Sequence, residues 1–112
     1  QGMLSFKKLD VYRCSIEFVA MAVEIGSKLP RGHAELRDQL RRAAFSVPLN
    51  IAEGAGRASQ ADGARHFAIA RGSAMECAAV LVRVLGTLQD DSYRHALDLL
   101  ARMVAMLTKL CR

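Results

Sequence analysis

Four stretches of this chain return an apolar residue every three to four positions, a period that fits helices packed against one another and little else. In the first stretch Leu9, Tyr12, Ile16, Val19 and Val23 recur at alternating steps of three and four. A second stripe, Val11, Cys14, Phe18, Met21 and Ile25, runs beside it. Asp10, Arg13, Glu17, Glu24 and Lys28 take the remaining face, with Arg13–Glu17 and Glu24–Lys28 at the supportive i,i+4 spacing. One bundle seam needs only one such stripe. The second is therefore expected to be surplus and, with Phe45 and Leu49, to mark a contact with another copy.

Gly26-Ser27 and the segment through Pro30 end the first helix. The second shows Leu36, Leu40, Ala43, Val47 and Ile51 on one face, a spacing that crosses Pro48 unbroken. Proline lacks an N–H and clashes with the carbonyl four residues back, at Ala44. The spacing thus predicts one kinked helix, with Asn50 placed to take up a carbonyl that the proline frees. Ser59 is a good N-cap for the third helix, whose inward residues are Phe67, Ala70, Ala74, Cys77, Leu81, Leu85 and Leu88. Gln89-Asp90-Asp91 separates it from a fourth carrying Tyr93, Leu97, Leu100, Val104, Leu107 and Cys111. Short connections favour antiparallel neighbours. The expected fold is all-α, an antiparallel up-down-up-down four-helix bundle in one domain over residues 4–112. Gln1 and Gly2, ahead of Met3, read as an expression remnant.

Apolar residues form 52% of the chain and charged ones 24%, which excludes disorder. No apolar run approaches the ~20 residues of a membrane span, and no secretory signal is visible. Cys14, Cys77 and Cys111 are odd in number and widely spaced, without a C-x-x-C pair. They fit free thiols in a reducing cytoplasm rather than a disulfide frame or a zinc site. The net charge of +5 permits a polyanionic partner without requiring one.

Catalytic and cofactor chemistry finds little footing. None of His33, His66 and His95 has a glutamate three residues before it, as a di-iron bundle would need. Gly54-Ala55-Gly56 lacks the preceding strand and following Lys-Ser/Thr of a phosphate loop. The expectation is a protein that is not an enzyme and carries no cofactor or metal.

The informative stretch is Arg41 to Arg57, read with Ala70-Arg71-Gly72-Ser73 and Glu76. Antiparallel pairing about a turn near Ser59 sets Ser46 opposite Gly72, Asn50 opposite Ala68, Glu53 opposite Arg65 and Arg42 opposite Glu76. That register predicts a close helix crossing at Gly72 and two cross-helix ion pairs. Arg42, Asn50, Glu53, Arg71, Ser73 and Glu76 are expected to form a structural polar network that fixes register.

With Ser46-Val47-Pro48-x-Asn50-Ile51-Ala52-Glu53-Gly54 followed by Arg57, and Ala70-Arg71-Gly72-Ser73 with Glu76 further on, the chain resembles the 23S ribosomal RNA intervening-sequence proteins. An opening helix beginning near Phe6-Lys7-Lys8-Leu9 reinforces the likeness, which spans nearly all of residues 4–112. The resemblance implies a four-helix bundle assembled as a ring-like homopentamer, and no catalytic residues. A more distant branch supplies the accessory protein of diversity-generating retroelements, which engages a reverse transcriptase and nucleic acid. The leading expectation is thus a homo-oligomer binding RNA or a ribonucleoprotein through Lys7, Lys8, Arg31, Arg37, Arg41, Arg57 and Arg65. The alternative is a protein-interaction scaffold, for example for a polymerase or reverse transcriptase, without direct nucleic-acid contact.

Overall fold

A computed structural model describes residues 4–84 and 92–112. A 3-10 turn (Ser5–Lys8) leads into α1 (Asp10–Ser27), α2 (Ala34–Ala55), α3 (Gln60–Val84) and α4 (Ser92–Leu110). Each helix packs on the next and α4 closes back on α1, so the described helices stand in a square with α1 diagonal to α3. This is the expected all-α, up-and-down bundle. The expected break at Gln89–Asp91, with Leu85 and Leu88, lies outside the described residues.

Local chemistry accounts for the boundaries. Leu9 is extended (φ −71°, ψ 131°), so α1 starts at Asp10 and the Phe6–Lys8 stretch forms a separate turn rather than its first turn. Gly32, at φ 99°, supplies the left-handed residue that reverses the chain between α1 and α2. The Asp62 N–H donates to Ser59 Oγ at 3.1 Å, the anticipated cap of α3. Helix α2 runs unbroken through Pro48, as the spacing predicts. Asn50, however, does not serve the Ala44 carbonyl. Its Nδ2 donates to the Ser46 carbonyl at 2.9 Å and Ser46 Oγ at 3.1 Å, one turn back on its own helix.

Phe18, Leu40, Val47, Ile51, Cys77, Leu81, Tyr93, Leu99, Met103 and Leu107 are fully buried along the axis. The two stripes of α1 exchange the places expected for them. Val11, Cys14, Phe18 and Ile25 are core, whereas Ile16 and Val23 of the other stripe are 46% and 47% exposed. The physical reason is that α1 must meet both α2 and α4. The stripe containing Phe18 points between them, and the other lies along the α2 edge.

The tightest approach in the bundle is between α2 and α3, at Gly54 and Gly63 rather than at Gly72. A Cβ on Gly54 would lie 2.9 Å from the Phe67 ring and 3.0 Å from the Gly63 carbonyl oxygen. One on Gly63 would lie 2.8 Å from the Gly54 carbonyl oxygen. Gly72 is exposed, and a Cβ there meets nothing within 4 Å. We predict that Gly54→Ala and Gly63→Ala each lose about 1–3 kcal/mol through overpacking against backbone and ring. Gly56→Ala, which makes only ordinary contacts from 3.5 Å outward, should stay within about 0.5 kcal/mol of the parent. Urea unfolding midpoints at unchanged slope decide the matter.

Candidate functional site

Beside the two glycines a polar chain crosses from α2 to α3. Ser46 Oγ lies 2.8 Å from Ser73 Oγ, and Asn50 donates to Ser46. Asn50 Oδ1 is left as an acceptor for His66 Nδ1 at 3.4 Å, which leaves His66 Nε2 to accept from Arg65 at 3.4 Å. His66, a buried polar residue, and Ser46 complete a network that sequence reasoning assigns without them. The observed pairing, Ser46 with Ser73 and Asn50 with His66, lies within two residues of the expected register.

The long charged side chains depart from that expectation. Glu53 is exposed and pairs with Arg57 on its own helix at 2.6 Å, while Arg65 pairs with Asp62 at 3.4 Å, so no Glu53–Arg65 bridge forms. Glu76 is exposed and accepts from Gln39 at 3.3 Å, and Arg42 is exposed without an ion pair among the described residues. Local i,i+3 and i,i+4 partners come at lower entropic cost than partners on another helix. Arg71 turns to α4 instead of α2. Its Nε donates to Thr108 Oγ1 at 2.8 Å, and Thr108 passes the bond on to the Val104 carbonyl at 2.7 Å.

The seven cationic candidates separate into distinct places. Arg37 is half-buried and structural. Its Nε donates to the Gly26 carbonyl at 2.9 Å and its stem packs where a side chain on Gly26 would stand. It thereby satisfies a C-terminal carbonyl of α1 with a charge of the favourable sign. Arg31 sits in the α1–α2 turn at the same end of the bundle, and Arg41 on the outer face of α2 beside Arg42. Lys7, Lys8, Arg57 and Arg65 lie at the opposite end, around the α2–α3 turn.

Antiparallel topology brings two more cations to that end, Lys109 in the last turn of α4 and Arg112 just beyond it. One groove there is bordered by Lys8 with Ala55, Phe67 and Leu110. The next shares those three residues and is bordered by Arg57, Ser59, Lys109 and Arg112. Lys8, Lys109 and Arg112 are exposed and make no ion pair among the described residues, whereas Arg57 is held by Glu53 and, at 3.8 Å, by Asp62. Lys8 and Lys109, from opposite ends of the sequence, thus flank one surface, which no local pattern signals.

A family model for the 23S rRNA-intervening sequence protein matches residues 7–109. The chain belongs to that family. No curated protein matches it significantly. Of the motif residues that carry the family likeness, Ser46, Asn50, Gly54 and Ser73 lie at the α2–α3 contact, where His66 and Gly63 of α3 meet them. At that contact neither Gly54 nor Gly63 has room for an alanine side chain.

Catalytic potential is low at the most deeply buried nucleophile. Desolvation, assisted by the Glu76 carboxylate, pushes the Cys77 thiol up to about 12, so it stays a protonated packing group at neutral pH. Among the described residues no cluster of His, Cys, Asp and Glu could hold a metal ion, and no helix is long and apolar enough to cross a membrane.

Two substitutions separate structural from peripheral charge. Arg37→Gln should cost about 1.5 kcal/mol by removing a charged bond to a helix-terminal carbonyl. Glu76→Ala should change stability by no more than about 0.5 kcal/mol, because its one bond is solvent-exposed. Thermal and urea unfolding of the two variants beside the parent give both numbers.

Proposed function

We propose that this member of the family is a non-enzymatic, self-associating bundle that binds RNA, alone or within a ribonucleoprotein, through its basic end. The observation that carries the reading is the gathering of Lys8, Arg57, Lys109 and Arg112 along adjoining grooves at the α2–α3 turn, with Lys7 close by. Phosphates contacted by such side chains release condensed counterions, a driving force indifferent to base identity. Each copy adds +5 to an assembly, so self-association strengthens the field that draws a polyanion in. The grooves open to solvent along the end of the bundle, which suits binding along a surface.

Filter binding of single-stranded RNA at several salt concentrations tests it. The parent should bind at low salt and weaken linearly in log–log form as salt rises. Replacing Lys7, Lys8 and Lys109 with glutamine should leave the bundle folded and make that slope shallower by about 2, at roughly 0.7 for each phosphate no longer neutralised. Replacing Arg31 and Arg41 instead should have the smaller effect. Absence of retention at low salt would overturn the RNA reading and leave the protein-interaction scaffold, for which the exposed Phe45 and Leu49 already speak.

A further inference from the structure

The two grooves at the basic end share an apolar floor of Ala55, Phe67 and Leu110. The first adds Phe6 and Leu9 and offers a volume of about 690 Å³. That lies within the roughly 300–1,000 Å³ of ordinary ligand sites. Cations border the floor on both sides, Lys8 in the first groove and Lys109 with Arg112 in the second. All three are exposed and make no ion pair among the described residues. A row of phosphates alone would be served by the charges and would gain nothing from the apolar floor between them. A chain that alternates flat apolar faces with anionic links uses both.

Phe67 is the decisive residue. It is only partly buried, yet its ring is fixed in place. A Cβ built on Gly54 would stand 2.9 Å from its Cε1, and one on Gly63 3.9 Å from its Cε2, so the ring fills the notch that those two glycines leave. Phe6 is held as well: its ring meets Tyr12 edge to face, with centroids 4.9 Å apart and planes at 72°. Rings set before binding lose little freedom when a ligand arrives.

We propose that the floor around Phe67 seats an unpaired nucleobase of a single strand, its flanking phosphates reaching Lys8 on one side and Lys109 or Arg112 on the other. This rests on RNA binding at the basic end and names the form of RNA that the site takes. In a duplex the faces of the bases are stacked on one another and closed to side chains, whereas loops and free ends can splay a base out. Every base has a π-face, so such a seat selects for an unpaired strand and is tolerant of sequence. Charge supplies the salt-dependent part of binding, and the ring supplies a part that salt leaves alone.

A single-stranded RNA whose purines are replaced by a fluorescent analogue, quenched on stacking, reads the seat directly. Filter binding of the same strand and of its duplex gives the affinities. The parent should quench the analogue. Phe67→Leu keeps an apolar side chain over the two glycines but presents no ring, and circular dichroism with thermal unfolding checks its fold. It should bind the single strand about tenfold more weakly, the loss of one stacked base, with an unchanged salt slope and the parent's affinity for duplex. Phe67→Tyr, which keeps the ring, should retain both quenching and affinity. A parent that binds the strand without quenching it would overturn the seat whatever the variants do. So would a Phe67→Leu protein that binds like the parent, or one that weakens strand and duplex alike; RNA binding by charge would then still stand. A parent that retains no RNA at low salt removes the RNA reading itself, and the seat with it.

Discussion

The backbones of α2 and α3 approach so closely at Gly54 and Gly63 that a methyl group on either has no place to go. Everything else in the bundle is arranged around that approach. It lets short side chains reach across the interface: two serine hydroxyls at 2.8 Å higher up, and Asn50 with His66 nearer the turn. Apolar packing alone tolerates sliding by a turn. A chain of directed hydrogen bonds does not, because a slipped register would strand several polar groups away from water. Helices α1 and α4 then close the square, tied by Arg37 to the end of α1, by Arg71 to Thr108, and by Glu17 to His95 at 2.8 Å.

The helices and their ends are legible in the sequence because the signals are local. Apolar period, the Ser59 cap and the glycine-rich breaks each act within a few residues, and α2 crosses Pro48 as its spacing requires. What depends on neighbours is not legible. The two stripes of α1 are offset by two residues, a rotation of about 160° the short way round, and only the positions of α2 and α4 decide which is core. Small residues crowd the first half of α3, so composition does not tell Gly63, which meets Gly54, from Gly72, which meets nothing.

Charge is the least legible, for one physical reason. Long side chains reach several partners, and one on the same helix often prevails over one on a facing helix, although the exposed Glu17 crosses to His95. Glu53 with Arg57, and Arg65 with Asp62, show that preference. In the sequence Arg37 looks like any other cation on a polar face; only the fold sets the end of α1 beneath it. Lys109 and Arg112 belong to the basic end only because the chain folds up and down, returning its last helix to the level of its first turn.

The molecule divides accordingly: the motif residues work inside, fixing register, while the surface they leave outside is the one proposed to take up other copies and a polyanion. The two outward roles meet if self-association brings the basic ends of several copies together. Native mass spectrometry of the parent with a single-stranded RNA long enough to reach several basic ends reads this in one spectrum. The predicted species is one RNA strand bound to one intact assembly. Strands bound one per chain, or RNA found only on dissociated single chains, would contradict it.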